Sequence, residues 1–149
     1  NIDHVNDVVG TNFTGTTMIA TLFINQFLKQ DSGQLWLFSS ITTFAPRDKN
    51  IWYGSAKAAL DFFYKAKRYR LRKTNIRIHL LKLGYLDTPM NKGMKLKFPK
   101  ASTDAVSKFI LDKLSAQSGI YYYPKFWYFV VLILKTLPFS IYQKINFDS

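Results

Sequence analysis

The sequence predicts an α/β fold that is built around a parallel sheet. Helical segments alternate with short apolar runs, the runs are nearly continuous instead of alternating with polar residues, and turn signals separate them. Continuously apolar strands are typical of sheets covered on both faces, where parallel strands occur. The chain has 149 residues, 48% of them hydrophobic, which is enough for one buried core, so we treat residues 1–149 as one domain.

The first half of the chain combines helical periodicity with one short apolar run. Apolar residues recur at the spacing of a helix, and Asp3 offers a side-chain oxygen at the start of the first helix. Asp, Ser and Gly then form a turn. The predicted elements, in order, are a helix at residues 3–30, a buried strand at 35–38, a loop at 41–50 and a helix at 50–73.

The second half contains two further apolar runs and one more helix. Gly84 ends the first run, and a Ser-Thr pair can cap the helix. The segment between them contains Pro and Gly without a clear period, which is typical of a functional or mobile loop. The predicted elements are a strand at residues 76–83, a loop at 85–101, a helix from 102 or 103 to 117, a strand at 119–123 and an aromatic, apolar helical extension at 124–149.

The composition excludes several kinds of site. The chain has no Cys, which excludes disulfides, thiolate metal sites and a thiol nucleophile. The two histidines, His4 and His79, lack metal-ligand spacing, so we predict no metal site. The net charge is +12, and residues 65–82 contain eight basic residues and no acid. This basic run is interpreted as the solvated end of a helix, as a surface attracted to anionic membranes, or as a nucleic-acid contact. No nucleic-acid-binding motif supports the last reading, and we expect no nucleic-acid partner.

Tyr53 and Lys57 are candidates for proton chemistry. They lie four residues apart in the second predicted helix, so they share one face. An ammonium group beside a phenol lowers the pKa of the phenol, which can then act as a general acid or base near neutral pH. The spacing alone is weak evidence, because it also occurs in the pairs Tyr69–Lys73 and Tyr121–Lys125.

Other motifs occur in a fixed order around Tyr53. Ser40 ends a strand thirteen residues earlier, an NxxG motif begins at Asn12 in the preceding helix, and Gly84 begins a GxxxT motif after the next strand. This set resembles the short-chain dehydrogenase/reductase superfamily over nearly the whole chain. The resemblance implies a Rossmann-type, doubly wound parallel sheet. It also implies an NAD(P)H-dependent carbonyl reductase or alcohol dehydrogenase.

The resemblance implies a role for each matched residue. Tyr53 is expected to donate a proton to the substrate carbonyl, Lys57 to lower the pKa of Tyr53 and hold the nicotinamide ribose, and Ser40 to orient the carbonyl. Asn12 is expected to support a water and proton relay behind Lys57. Ser39 should point elsewhere, because neighbouring strand residues face opposite sides. The implied cofactor-binding residues are Tyr53, Lys57, Gly84, Leu86 and Thr88.

The amino-terminal, cofactor-binding half of that fold has no counterpart in the sequence. There is no GxGxxG turn and no residue that selects NAD or NADP, and Leu83 replaces a proline usual in the family. We therefore expect only the carboxyl-terminal half of the fold, about three strands and long helices. A proteolytic or expression fragment is the preferred explanation, beside a truncated gene product or a separate module. The alternative function is a non-catalytic interaction or membrane-associated module. The resemblance also implies self-association through the helices at 3–30 and 50–73.

The carboxyl-terminal stretch is unusually apolar and aromatic. Its uncharged run at residues 126–134 is too short to span a bilayer, which takes about 20 residues. It is interpreted either as a helix packed over the substrate pocket or a subunit interface, or as an interfacial membrane helix with Trp127 and Tyr128 at headgroup depth. Its pattern is similar to the tails of membrane-associated reductases of lipid-linked or long-chain keto substrates. We therefore expect such a ketone as substrate, and a cytoplasmic protein in peripheral contact with the inner membrane surface.

Overall fold

A three-stranded parallel sheet lies at the centre of the protein. The computed structural model describes residues 2–89, 98–142 and 144. The elements in chain order are α1 (Ile2–Val9), a π-helical segment (Gly10–Gly15), α2 (Thr16–Lys29), β1 (Gly33–Ser40), α3 (Ile51–Leu71), β2 (Ile76–Leu83), α4 (Thr103–Leu111), β3 (Ile120–Tyr123), α5 (Trp127–Thr136) and α6 (Phe139–Tyr142).

The central strand of this sheet is β2. It pairs in parallel with β1 over its whole length, from the Gly33–Ile76 pair to the Ser40–Leu83 pair. It pairs in parallel with β3 from the Leu80–Ile120 pair onward. A parallel pair needs a crossover connection, and the chain between β1 and β2 contains α3 while the chain between β2 and β3 contains α4. The predicted α/β class with three parallel strands is confirmed.

The core lies between the sheet and the two long helices α2 and α3. Every second residue of β1 and β2 points to this side, as the period of a strand requires. Each large aliphatic side chain buried there stabilises the fold by about 1.5–3 kcal/mol. The buried residues of this cluster are Ala20 and Ile24 of α2, Leu60, Tyr64 and Leu71 of α3, Leu37 of β1, and Ile76, Ile78 and Leu80 of β2.

The first helix differs from a regular α-helix in its middle. Residues 2–29 are helical, as predicted, but Gly10–Gly15 forms a π-helical segment. The side chain of Asn12 bonds back into this segment, because its Nδ2 donates to the carbonyl of Val8 at 3.0 Å. Short π segments within α-helices are frequent at functional sites. The segment packs against α3.

The third long helix is shorter than predicted. α4 ends at Leu111, and residues 112–115 form turns, in which the N–H of Lys113 bonds three residues back to the carbonyl of Ile110 at 3.0 Å. The apolar residues that suggested a helix to residue 117 are exposed, namely Leu111 and Leu114. Helices in proteins are stabilised mainly by packing of an apolar face, and because these residues are exposed, such packing does not extend the helix beyond Leu111. Residues 90–97 of the predicted loop lie outside the described residues.

The helix α5 is apolar on all sides but packs on only one. Trp127 and Val131 are buried against Ile41 in a second, smaller core cluster. The opposite side exposes four large side chains, between 50% and 64% accessible: Tyr128, Phe129, Leu132 and Ile133. No helix among the described residues is long and apolar enough to cross a membrane.

Candidate active site

The candidate site lies where β1 and β2 end. Their last residues, Ser40 and Leu83, are register partners, so the segments that follow both strands leave the same edge of the sheet. In open α/β sheets, ligands bind outside the carboxyl ends of the strands. The chain after β1 makes two short 3-10 turns and enters α3, whose first two turns contain Tyr53 and Lys57. The structure therefore brings Ser40, Tyr53 and Lys57 together.

Ser40 and Tyr53 are joined through their hydroxyl groups. Ser40 is buried, and its Oγ accepts a hydrogen bond from the N–H of Thr42 at 3.1 Å, which caps the first 3-10 turn. The side chain of Ser40 also hydrogen-bonds to Tyr53. Burial raises the pKa of Tyr53, and this hydrogen bond lowers it by less. The sequence-based expectation of a lowered pKa is therefore wrong for this chain, because desolvation of the phenolate outweighs the polar contact.

Lys57 lies beside Tyr53 and is tied to the neighbouring strand. Its Nζ donates to the carbonyl of Phe38 at 3.0 Å and lies 5.6 Å from the centroid of the Tyr53 ring. The ammonium group thus faces the aromatic ring. Burial lowers the pKa of Lys57, while the negative charge of Asp61 raises it in part. The two side chains share one helix face, as their spacing predicts.

Leu86 and Thr88 lie in a segment that is fixed by backbone contacts. Leu86 forms an isolated parallel bridge with Ala101. The N–H of Asp87 donates to the carbonyl of Ala101 at 2.8 Å, and the N–H of Ala101 donates to the carbonyl of Tyr85 at 2.9 Å. These bonds hold the segment after β2 against the residues that precede α4. The cofactor roles of Leu86 and Thr88 stay predictions.

Gly84 is the point at which α5 closes over the end of β2. Its N–H donates to the carbonyl of Tyr123 at 2.9 Å. A Cβ atom on this residue would lie 2.5 Å from Cδ1 and 2.7 Å from Cε2 of the Trp127 indole, and nearer still to Nε1. Glycine is therefore required here by the close approach of an aromatic ring. Its predicted cofactor contact stays a prediction.

The donor groups at this edge fit a nicotinamide nucleoside. Lys57 provides an ammonium group, and Tyr53 and Thr88 provide hydroxyl groups, which suit ribose hydroxyls and a carboxamide. The described residues contain no cluster of three or more metal-ligating side chains. The Gly-rich turn that binds a pyrophosphate is missing from the sequence. Among the described residues, the groups at this edge suit the reacting end of the cofactor.

A buried ion pair beneath the site was missed by sequence reasoning. Lys82 is 2% exposed, and its Nζ donates to Oδ2 of Asp61 and to Oγ1 of Thr43, the latter at 2.6 Å. The other carboxylate oxygen of Asp61 accepts from Oγ of Ser39 at 2.5 Å. Ser39 points away from its neighbour, as predicted. Two signals were available: a charged residue inside an apolar strand, and a carboxylate one turn after Lys57.

Comparison with known proteins identifies the family. Residues 1–97 match the family of short chain dehydrogenases, and the chain belongs to that family. An uncharacterized oxidoreductase of Staphylococcus epidermidis is 28% identical over 93 residues, which are 62% of this chain and 40% of that protein. The 3-oxoacyl-[acyl-carrier-protein] reductase FabG of Chlamydia muridarum is 30% identical over 87 residues, 58% of this chain and 35% of that protein. The chain therefore spans about two fifths of the length of these relatives.

Solved structures confirm the fold. A short chain dehydrogenase from Burkholderia cenocepacia in complex with NADP matches 97% of this chain and 60% of its own, with a TM-score of 0.82 and 17% identity. A 4-hydroxyisoleucine dehydrogenase complexed with NADH and succinate matches 82% of this chain and 57% of its own, with a TM-score of 0.68 and 14% identity. The three parallel strands and their helices thus have the arrangement of a Rossmann-like dehydrogenase.

Proposed function

We propose that the chain provides the proton-transfer residues of an NAD(P)H-dependent carbonyl reductase or alcohol dehydrogenase. The observation that supports this most directly is the convergence of Ser40, Tyr53 and Lys57 at the end of β1, where Lys57 Nζ lies 5.6 Å from the centroid of the Tyr53 ring and donates to the carbonyl of Phe38. The nicotinamide cofactor, when bound, supplies the hydride. The Ser40 hydroxyl orients the substrate carbonyl and donates to its oxygen as negative charge develops there.

Tyr53 acts as the acid in this proposal. Its phenol is protonated at neutral pH, since burial raises a pKa that is already well above 7, so a proton is present to transfer to the carbonyl oxygen. The phenolate that remains is stabilised by the Lys57 ammonium group beside the ring. Asn12, on the helix that packs against α3, supports the return of a proton through water behind Lys57. The same residues run in reverse when an alcohol is oxidised.

The cofactor is NAD or NADP, held at its reacting end by Lys57 and by the segment from Gly84 through Leu86 to Thr88. Related solved structures contain NADP or NADH, which supports the class of cofactor. The chain covers 40% of the S. epidermidis protein and has no Gly-rich turn, so we propose that it is the carboxyl-terminal part of the intact enzyme. The preceding residues of that enzyme would hold the phosphates.

The test of this function uses the intact gene product and a matched pair of tyrosines. Tyr53→Phe should lower kcat for ketone reduction by about 10²–10⁴-fold, because it removes the donated proton. The Kd for NADPH, measured by fluorescence, should stay within about twofold of the wild-type value, since the ring is kept. Tyr69→Phe is the control, because Tyr69 has the same spacing to a lysine but is 69% exposed. Equal turnover in the two variants would contradict the assignment, and absence of NAD(P)H binding would favour a non-catalytic module.

The substrate is a ketone on a lipid-linked sugar or a long-chain lipid, reached at the inner membrane surface from the cytoplasm. The exposed apolar side of α5 supports this proposal, because it offers a surface for acyl chains close to the site. Lys125 precedes the helix and Lys135 lies in its last turn, and the net charge of +12 favours anionic headgroups. The basic run at residues 65–82 adds to that attraction.

Membrane contact is tested with vesicles of phosphatidylglycerol or phosphatidylcholine. The double variant Phe129→Ser/Ile133→Ser should lose co-sedimentation with phosphatidylglycerol vesicles, because it removes two exposed apolar side chains from α5. Leu111→Ser is the control, since Leu111 is similarly exposed but lies on α4. Binding of the wild type should fall as salt is added. Unchanged sedimentation of the double variant would remove the membrane proposal.

Self-association through the two long helices is also proposed. Several large apolar side chains are exposed on α2 and α3, which is typical of an interface. They include Met18, Leu22, Phe23 and Phe62. Phe62→Asp should convert a dimer or tetramer to monomers in analytical ultracentrifugation. A wild-type monomer at micromolar concentration would contradict this proposal.

A further inference from the structure

We propose that Asp61 and Lys82 are positioning residues, which hold the Ser40 hydroxyl and the Lys57 ammonium in place for the reaction. This inference rests on the proposed function and concerns the same site. The pair lies one layer beneath the site, in contact with both elements that form it: Asp61 belongs to α3, and Lys82 belongs to β2. Neither residue has been given a role by the sequence motifs.

The end of β1 is held at Ser40 and at its neighbour Ser39. Lys82 Nζ donates to Oγ1 of Thr43 at 2.6 Å, and Thr43 Oγ1 donates to the carbonyl of Ser40 at 3.0 Å. On the other side, Oγ of Ser39 donates to Asp61 at 2.5 Å. The ion pair is therefore a tie between α3 and the end of β1. Because Tyr53 is on α3, the tie sets the separation of the Ser40 and Tyr53 hydroxyls.

Lys57 is held by charge. Asp61 follows it by four residues, so the carboxylate lies on the same face of α3. The negative charge of Asp61 favours the ammonium form of Lys57 and raises its pKa in part. Asp61 is shared with Lys82, so the two ammonium groups compete for one carboxylate. The titratable groups that act on this cluster are Lys57 and Lys65 of α3, Lys82 of β2, Tyr122 of β3 and Lys135 of α5.

A buried ion pair is not the simplest way to stabilise a core. Well-packed apolar residues are often as stabilising, because they avoid the desolvation of two charges. The side chain of Lys82 is 2% exposed and that of Asp61 is 15% exposed, so both are largely desolvated. The pair nevertheless bonds to two hydroxyl groups next to Ser40, those of Ser39 and Thr43. This arrangement fits a role in placing polar atoms.

The test measures the pKa of Lys57 in the full 149-residue chain by NMR of ¹³Cε-labelled lysine, with Lys57→Gln to assign the signal. Asp61→Asn should lower this pKa, because the attracting charge is lost. Lys82→Met should raise it, because Asp61 then has one ammonium partner instead of two. Asp112→Asn, at an exposed carboxylate, is the control and should leave the pKa of Lys57 unchanged. Asp61→Glu should restore most of the wild-type value.

Opposite shifts in Asp61→Asn and Lys82→Met are the expected result, and shifts in the same direction or no shift would overturn the proposal. If Asp61→Asn alone does not fold, the comparison is made between Lys82→Met and the double variant Asp61→Asn/Lys82→Met, which buries no unpaired charge. The pKa of Lys57 should then be lower in the double variant than in Lys82→Met. The Thr42 amide, bonded to Ser40, should also change its ¹⁵N–¹H shift in Lys82→Met and not in the control. These measurements need no turnover, so a failure of the proposed reaction leaves them valid.

Discussion

Gly84→Ala offers a sharp test of how α5 is joined to the candidate site. The added Cβ would lie 2.5–2.7 Å from two carbon atoms of the Trp127 indole, where the normal separation is about 3.5–4.0 Å. Trp127 is only 3% exposed, so the ring has no free space to enter. Either the ring or the end of β2 must move by more than about 1 Å, because Nε1 of the indole lies nearer still. Overpacking of this kind costs about 1–3 kcal/mol, and we expect the upper end of that range.

The assay is urea unfolding followed by circular dichroism, with Gly10→Ala as the matched control. A Cβ on Gly10 meets nothing within 4 Å, and the residue is helical. Gly10→Ala should therefore stabilise the chain by up to about 1 kcal/mol, since alanine is the better helix former. The same substitution thus has opposite signs at the two glycines.

A double-mutant cycle identifies the clashing partner. In a Trp127→Leu background, Gly84→Ala should cost at least about 1 kcal/mol less than in the wild type, because the smaller side chain leaves room for the methyl group. Two results would refute the reasoning. One is a midpoint for Gly84→Ala that equals the wild-type midpoint, and the other is an equal cost in both backgrounds.

Two further predictions concern stability. His79 is fully buried and stacks on Trp36 at 4.3 Å, and burial with the nearby Arg77 lowers its pKa from 6.5 to about 4. As the pH falls, the unfolded chain therefore takes up this proton first, so the free energy of unfolding that is present above pH 6.5 decreases toward pH 4, by up to about 3 kcal/mol. His79→Phe should remove this pH dependence of the free energy of unfolding, measured in urea across that range. An unchanged pH dependence would contradict the assignment. Leu60→Ala should lower the free energy of unfolding by about 2–5 kcal/mol, because Leu60 is completely buried. Phe62→Ala, at a residue that is 75% exposed, should lower it by less than about 0.5 kcal/mol per chain in dilute, monomeric solution. Similar values for the two variants would contradict the described packing.

The elements that the sequence predicts well are those with a single strong signal. The apolar run at residues 76–83 coincides with β2, because a central strand is buried on both faces and tolerates few polar residues. Tyr53, Lys57 and Ser40 come together as the motifs predict, since strand ends and the following helix are adjacent in the chain. The helix to residue 117 fails for the opposite reason. Its apolar pattern is local, whereas the surface it would need is supplied by the rest of the fold.

The buried ion pair was missed because its members are 21 residues apart and no local spacing pattern links them. Sequence reasoning assigns charged residues to the surface, and it included Lys82 in a solvated or membrane-facing basic run. Only the packing of α3 on β2 shows that this lysine is paired with Asp61 inside the protein. The raised pKa of Tyr53 has the same origin, since burial depends on contacts that the local motif does not contain.

The residues of the proposed proton-transfer site lie close together in the chain. Ser40 comes from the end of β1, while Tyr53 and Lys57 come from the next helix, so all three are encoded within 18 consecutive residues. The proposed cofactor contacts follow β2, the next strand. Phosphate binding in a Rossmann-type fold uses a different strand-to-helix turn, and no Gly-rich turn occurs in this sequence. Within the described sheet β1 is an edge strand, with Phe38 46% exposed and Lys57 bonded to its carbonyl. Strands added at that edge would therefore border Lys57 and Ser40 directly, which makes β1 the place where the proposed cofactor half joins the proton-transfer half.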